Sequence, residues 1–253
     1  MLSFFRRACF PTLLALALLC APIARAAVDE RVSTGEEIAI AFFKTGDSTP
    51  DFDTLAKGSK EYKRMPPVRA GDYLEKEKQR LTQLWRDFNP EEDVIGISGD
   101  VHVELKKVID KKDGKEKYWM YIILPETELT HFGYKYQDYR FAIIPQKIDD
   151  LMIQPLQKEQ FDNMAKEFGQ GGPAKLFLTL KPVKAHTDQP YKIDGVERWA
   201  LICDIATMSI GSKKGLETYW NYGADWYVSP VTEDLQDLYK APSESTSAPL
   251  QTP

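Results

Sequence analysis

The chain has 253 residues, and its 38 acidic side chains outnumber its 33 basic ones, which gives a formal net charge of −5. An acidic chain lacks the concentrated basic surface that nucleic-acid binding requires, and it gains no overall attraction to anionic lipid. Composition therefore argues against a nucleic-acid partner.

Residues 1–26 have the three parts of a secretory signal peptide. Arg6 and Arg7 supply the positive start, residues 10–19 the apolar middle, and Ala24-Arg25-Ala26 the small-x-small pattern that precedes cleavage. The apolar middle is shorter than the roughly 20 residues that a membrane-spanning helix takes. We therefore predict cleavage after Ala26, a soluble periplasmic protein, and no membrane span in the mature chain.

Two other kinds of export signal share features with this segment. Cys20 follows Leu18 and Leu19 rather than a small residue, which argues against lipid attachment at this cysteine. The arginine pair also occurs in twin-arginine signals, but its flanking residues fit that motif poorly. A conventional cleaved signal peptide is the favoured interpretation.

Cleavage at this site would change the composition of the chain. Three arginines leave with the signal, so 30 basic and 38 acidic residues remain, a net charge of −8. Cys9 and Cys20 leave as well, and Cys203 alone cannot form an intrachain disulfide. The fold must then rest on its hydrophobic core. A single cysteine and the absence of an N-x-S/T sequon favour a bacterial periplasmic protein over a eukaryotic secreted one.

Residues 27–92 are predicted to form the helical N-terminal part of the domain. Thr34 can cap a helix over residues 34–44, because a threonine hydroxyl satisfies free N–H groups at a helix start. Residues 38–43 of this helix are apolar on all sides. Such a helix is expected to be buried on most sides.

Two more helices are predicted before residue 92. A short one should begin after Pro50 and end before residues 65–67, where two prolines block continuation. A longer one is predicted over residues 72–88, with Asp72 and Glu75 as a capping box.

Residues 93–239 are predicted to form the sheet-rich part, because apolar residues now recur at every second position. The strongest signal is Asp113-Gly114, a residue pair typical of two-residue hairpin turns. In that register the facing pairs are Lys112–Lys115, Lys111–Glu116 and Asp110–Lys117. The predicted core face carries Val101, Val103, Leu105, Ile109, Tyr118, Met120, Ile122 and Leu124.

The remaining pattern completes the predicted architecture. It indicates a strand at 140–145, a helix at 156–168, two long apolar strands at 175–183 and 199–210, an aromatic strand at 216–222 and a further short strand at 226–228. Residues 240–253 have the composition of a disordered tail. We therefore predict one α+β domain, with N-terminal helices followed by a mostly antiparallel β-sheet that contains one inserted helix.

Asp100, His102 and Glu104 alternate along one predicted strand and so share a face. Histidine and carboxylates are common ligands of divalent metals. The same alternation arises on any solvated strand face, and His131 and His186 show no ligand spacing to this group. We predict no metal and no cofactor, with these three residues as the candidates if a metal is bound.

Asp204 interrupts an apolar strand, with Ile202 and Ala206 as the predicted neighbours on its face. A carboxyl group in such surroundings is ion-paired, is held protonated, or lies at an exposed edge. A protonated carboxyl would suit general acid catalysis, which makes Asp204 a catalytic candidate. An ion pair with Lys181 or Arg198 is the favoured interpretation.

Two aromatic clusters are candidate binding surfaces. Trp220, Tyr222 and Trp226 lie near the last predicted strand. Packing into the core is the favoured interpretation for them, and stacking on a sugar or anchoring a partner is the alternative. Tyr134 and Tyr136 fall in a predicted loop, which is a better place for a binding surface.

The sequence contains no nucleophile-elbow, zinc-protease or phosphate-loop motif. Cys203 has the apolar neighbours of an inert core thiol. We therefore predict a non-enzymatic binding or envelope-accessory protein, whose partner is a protein or an envelope component. Two alternatives stay open: a periplasmic hydrolase that uses Asp204 with a second carboxylate, and a carbohydrate-binding module that uses Trp220, Tyr222 and Trp226.

Overall fold

A computed structural model of the protein describes residues 32–125, 130–215 and 217–228. The predicted signal peptide (1–26) and the predicted tail (240–253) lie outside these residues. The helices are α1 (Gly35–Thr45), α2 (Phe52–Gly58), α3 (Lys60–Lys63), α4 (Pro67–Asp87) and α5 (Lys158–Phe168), with a 3-10 helix at Ile148–Leu151. The strands are β1 (Ile95–Ile109), β2 (Glu116–Ile123), β3 (Phe132–Tyr136), β4 (Tyr139–Pro145), β5 (Ile153–Leu156), β6 (Gly171–Ala185), β7 (Tyr191–Ile193), β8 (Val196–Gly211) and β9 (Thr218–Gly223).

The strands form one mixed sheet in the order β3-β4-β8-β6-β1-β2-β5, with β7 and β9 also paired to β8. Strand β4 runs parallel to β8, whereas the other pairs are antiparallel. The helices and this mixed sheet support an α+β fold. The described part of the chain has no helix of the length and apolarity that crossing a membrane requires.

Helix α1 begins as its sequence predicts. The Glu37 backbone N–H donates to the Thr34 hydroxyl at 3.2 Å, and the Thr34 N–H donates to the Glu37 carboxylate at 2.7 Å. Residues 38–43 are all buried, because the helix packs against the sheet. The Phe42 ring lies 5.2 Å from the Phe141 ring of β4. The prediction of a Thr34 cap and a buried helix is confirmed.

Helix α4 begins earlier than predicted. It starts at Pro67, where a proline ring already has the helical φ and its missing N–H leaves no bond unmade. Asp72 and Glu75 therefore lie inside the helix, and the capping box predicted for them is wrong. The prolines at 66 and 67 are predicted to end the preceding helix, and the structure shows that Pro67 also begins α4.

The β1–β2 hairpin has a longer turn than predicted. The Asp110 N–H donates to the Lys115 carbonyl at 2.8 Å, so residues 111–114 form a four-residue loop. The Asp110 side chain accepts from the Lys112 N–H at 2.8 Å, and Gly114 has a φ of +70°. The predicted two-residue turn is therefore wrong, because the aspartate side chain stabilises a wider loop.

The strand pairing shifts by two residues as a result. Val108 faces Lys117 and Ile109 faces Glu116. A shift by two keeps each residue on its predicted face, so the buried side of the hairpin is as expected. The exception is Ile109, which is 63% exposed because this end of β1 extends beyond the hydrophobic core. Glu116 forms its ion pair with Lys107 rather than with Lys111.

Candidate binding cleft

The structure brings three of the predicted site residues to one cleft of about 270 Å³. We call it the Asp204 cleft. It lies where the ends of β4 and β9 meet the middle of β8, beside the 3-10 helix. Its lining residues are Gln146, Lys147, Asp150, Leu151, Asp204, Ile205, Tyr222 and Trp226.

An irregularity in β8 turns Asp204 toward solvent. Leu180 of β6 pairs with Ile205, and the preceding β6 residue pairs with Thr207, so Ala206 has no partner on β6. This extra residue reverses the alternation: Ile205 and Ala206 are both buried, whereas Asp204 is exposed. The prediction that Asp204 and Ala206 share a face is therefore wrong, because strict alternation assumes an unbroken ladder.

Neither predicted ion-pair partner reaches Asp204. Lys181 is its cross-strand neighbour, but the Lys181 Nζ lies 3.6 Å from a carboxylate oxygen of Glu91. Arg198 lies instead against Gly133, where an added Cβ would stand 2.8 Å from the guanidinium. Among the described residues no basic group lies within 4.0 Å of the Asp204 carboxylate. Its oxygens are therefore available to a ligand in the cleft.

The aromatic wall of the cleft follows from the end of β9. Tyr222 pairs with Met208 of β8 and is half-buried against the core. The Ala224 N–H then donates to the Ala206 carbonyl at 2.9 Å, which ties the following turn to β8. Trp226 lies in this turn and is 51% exposed. The strand predicted at 226–228 is therefore wrong, and Trp226 lines the cleft from this turn.

The polar wall comes from the turn after β4. The Gln146 N–H donates to the Cys203 carbonyl at 2.8 Å, which holds this turn beside β8. Lys147 has a φ of +56°, a left-handed conformation that lysine rarely adopts. The Asp150 N–H donates back to the Lys147 carbonyl at 3.1 Å. Strained backbone of this kind is concentrated at functional sites.

Sequence reasoning missed this polar wall. The signal available for it was a polar group, Gln146, Lys147, Asp149 and Asp150, directly after an apolar strand. Its placement beside Asp204 depends on the parallel pairing of β4 with β8, which is not a local property of the sequence.

The chemistry of the lining is mixed polar and aromatic. Asp150 and Asp204 offer carboxylate acceptors, Gln146 an amide that both donates and accepts, and Lys147 ammonium donors. Tyr222 and Trp226 add aromatic faces. A small ring that carries hydroxyl groups on its edge and C–H groups on its faces would satisfy both kinds of surface.

The predicted metal candidates lie elsewhere, on the outer face of β1. The Asp100 carboxylate is 2.9 Å from the Lys175 Nζ, and a hydrogen bond from this lysine lowers the pKa of Asp100. The Glu104 carboxylate is 3.0 Å from the Lys106 Nζ. In the part of the chain that the structure describes, no three histidine, cysteine or acidic side chains are arranged to hold a metal ion. A solvated strand face accounts for the geometry of Asp100, His102 and Glu104.

Two other candidate residues belong to the core. Trp220 is buried opposite Ile210 of β8, so its face is closed to ligands. Cys203 is also buried, and burial, together with the charge of the adjacent Asp204, raises the pKa of the Cys203 thiol. A protonated thiol in the core is a poor nucleophile, which confirms the interpretation of Cys203 as a packing residue.

Tyr134 and Tyr136 lie in strand β3, so the loop predicted for them is wrong. Both side chains are partly buried, and burial raises the pKa of each phenol. Tyr136 donates a hydrogen bond of 2.8 Å to the Glu36 carboxylate and lines a second, larger cleft. The loop was predicted because glycine and charged residues interrupt the apolar pattern of a short edge strand.

Comparisons with known proteins found no match: the chain matches no family model, no curated protein and no solved structure. A function for this protein is therefore inferred from the residues that line the clefts and from their chemistry.

Proposed function

We propose that this protein is an exported, non-enzymatic binding protein of the bacterial envelope, and that the Asp204 cleft holds its ligand. The signal-like residues 1–26 support export. The observation that carries the binding role is the convergence of Asp204, Tyr222 and Trp226 on one cleft. Two aromatic faces opposite a carboxylate form a recognition surface without a catalytic motif.

The ligand that fits this lining is a glycan component of the envelope. A sugar ring stacks its C–H face on Trp226 or Tyr222, and its hydroxyl groups bond to Asp204, Asp150 and Gln146. Ligand pockets usually enclose about 300–1,000 Å³. The cleft, at about 270 Å³, is just below this range, so it suits one sugar unit of a longer chain.

A second candidate function is hydrolysis of such a glycan. Asp150 lines the same cleft as Asp204, which supplies the second carboxylate that the sequence did not identify. Glycosidases use two carboxyl groups, one as a general acid. Both aspartates here are exposed. A general acid is normally held protonated by an apolar, water-poor environment, so the geometry favours binding over hydrolysis.

Export is tested by expressing the complete chain in a Gram-negative bacterium. We expect the protein in the periplasmic fraction, with an intact mass that corresponds to a chain beginning at Ala27, because the small-x-small pattern ends at Ala26. The Ala26→Arg variant should accumulate uncleaved. Recovery of the unprocessed chain from the cytoplasm would contradict the proposed location.

Glycan binding is tested by calorimetric titration of the purified protein with chitobiose, cellobiose and maltose. We expect at least one disaccharide to bind and the Trp226→Ala variant to bind it about tenfold more weakly, because an aromatic face and its apolar contact are lost. Asp204→Asn should also weaken binding, since an amide replaces a charged acceptor with a neutral one.

Tyr191→Ala is the matched control, because Tyr191 is an exposed aromatic residue on β7, outside the cleft. This variant should bind as the unmodified protein does. Equal loss in both aromatic variants would argue against the cleft, and no binding of any glycan would argue against this ligand class. Release of monosaccharide by the protein, abolished in Asp204→Asn, would favour the hydrolase instead.

A further inference from the structure

A second cleft, of about 820 Å³, lies between the N-terminal helices and the β3–β4 hairpin. We call it the Arg80 cleft. Its volume is in the range of small-molecule pockets. The residues that line it are Glu36, Gly58, Ser59, Lys60, Glu61, Lys63, Tyr73, Glu77, Arg80, Lys135, Tyr136 and Gln137.

The floor of this cleft is a network centred on Arg80. The guanidinium donates to both oxygens of Glu36, at 2.7 and 2.8 Å, and to both oxygens of Glu77, at 2.9 and 2.6 Å. Tyr136 adds a hydrogen bond to Glu36 from β3. Burial by itself would raise the pKa of Glu36, but the bonds from Arg80 and Tyr136 outweigh it and lower that pKa. Glu36 therefore stays ionised, and Arg80 occupies the carboxylates of both Glu36 and Glu77.

The walls of the cleft are held in place by close packing between the β3–β4 turn and α2. Gln137, in the β3–β4 turn, has a left-handed φ of +54°, and its Nε2 donates to the Leu55 carbonyl of α2 at 2.6 Å. A Cβ on Gly58 would stand 2.0 Å from the Gln137 side-chain amide, so a larger residue there would displace this amide. The cleft is therefore a preformed feature of the packing between α2 and the hairpin.

The rim carries lysines that have no acidic partner. Lys60 and Lys63 are one helical turn apart on α3, and Lys135 of β3 lines the same cleft. Among the described residues none of these three has a carboxylate within 4.0 Å. Because Arg80 already occupies Glu36 and Glu77, Glu61 is the remaining acid of the lining. Such a local excess of positive charge is unexpected in a chain whose net charge is −5.

We infer that the Arg80 cleft binds a small phosphorylated molecule, whose phosphate contacts Lys60, Lys63 and Lys135. Ammonium groups that line one cleft and are not ion-paired repel one another, and a bound anion relieves this repulsion. Lysine binds phosphate as a point charge, and a phosphate has enough oxygens and charge to meet several lysines at once. The rings of Tyr73 and Tyr136 provide a wall for the organic part of the ligand.

A phosphate fits this cleft better than a carboxylate does. Planar carboxylates are best recognised by the paired N–H groups of an arginine. The arginine in the lining already uses every guanidinium nitrogen on Glu36 and Glu77. The donors left for a ligand are the lysines and one of the two hydroxyl groups of Ser59 and Tyr73, which share a hydrogen bond of 3.2 Å.

Calorimetric titration with glucose 6-phosphate and with glucose tests this inference, because the two probes differ only in the phosphate. We expect the purified protein to bind the phosphorylated sugar much more tightly. The triple variant Lys60→Gln, Lys63→Gln, Lys135→Gln should weaken this binding by about tenfold for each lysine removed. The three single variants give the same comparison if the triple variant folds poorly.

The matched control is a second triple variant with the same change in charge, made at exposed lysines outside the cleft: Lys111→Gln, Lys112→Gln, Lys192→Gln. It should keep the affinity of the unmodified protein for glucose 6-phosphate. Equal affinity for the two sugars, or equal loss in the two triple variants, would overturn the inference. Trp226→Ala should leave this binding unchanged, so the result is independent of the glycan proposal.

The phosphate could belong to a free metabolite or to a lipid headgroup, and a third measurement distinguishes these sources. Phosphatidylcholine vesicles with and without phosphatidic acid are sedimented with the protein. Lysine-dependent binding to the phosphatidic acid vesicles would identify a headgroup. Binding of glucose 6-phosphate without vesicle binding would identify a soluble ligand, and failure of both would refute the phosphate site.

Discussion

Replacing Phe42 with alanine is expected to lower the free energy of unfolding by about 3–5 kcal/mol, the usual cost of removing a large buried aromatic side chain. Phe42 is 1% exposed and packs among the rings of Phe43, Phe141 and Trp199, with centroids 5.4, 5.2 and 5.9 Å away. The surrounding strands cannot collapse into the cavity, because β4 is held by its ladder with β8. This contact also holds α1 in place, and therefore Glu36 in the floor of the Arg80 cleft.

Urea unfolding of the purified protein measures this effect. Val68→Ala is the control, because Val68 is 94% exposed near the start of α4 and should change the unfolding free energy by less than about 0.5 kcal/mol. A loss of less than about 1 kcal/mol for Phe42→Ala would mean that α1 does not depend on this aromatic contact.

Replacing Gly35 with alanine is expected to destabilise the protein, although alanine is the better helix former. The first position of α1 lies so close to β3 that a Cβ on Gly35 would stand 2.3 Å from the Lys135 carbonyl oxygen. A backbone atom cannot move aside as the end of a side chain can, so the helix or the strand must shift. Overpacking of this kind typically costs about 1–3 kcal/mol, against a gain in helix propensity of about 1 kcal/mol.

The Gly71→Ala substitution is expected to have the opposite effect on stability. Gly71 lies inside α4, and an added Cβ there meets no atom within 4 Å. Helix propensity then acts alone, and the variant should be more stable by about 0.5–1 kcal/mol. The urea midpoints of the two variants should therefore move in opposite directions. Equal stabilisation by both substitutions would show that α1 and β3 are not in close contact.

Local sequence signals predicted local structure well. The Thr34 cap and the alternation of Val101, Val103 and Leu105 depend on neighbouring residues, and both agree with the structure. The errors arose where a residue has two local uses. Pro67 can end one helix or begin the next, and Asp110 can lie in a strand or close a turn through its side chain. Contacts with other parts of the protein decide which of the two local structures forms.

The candidate sites could be predicted only in part. Asp204 stood out because it interrupts an apolar strand, and Tyr222 and Trp226 stood out as members of an aromatic cluster. Their meeting in one cleft requires the unpaired Ala206 in β8 and the turn after β9, and neither has a sequence signature. In the Arg80 cleft only Tyr136 stood out in the sequence, since the lysines and acids look like ordinary solvated charges on α1, α3, α4 and β3.

The sequence by itself determined the acidic composition, the single cysteine of the predicted mature chain, the capped and fully apolar first helix, and the alternating strands. These properties depend on residue type and on spacing over a few positions. Only the tertiary structure decided that β4 runs beside β8, that Asp204 faces solvent, and that Lys135 lines one cleft with Lys60 and Lys63. Such contacts join residues far apart in the chain, and they are set by how buried surfaces pack together rather than by any local preference.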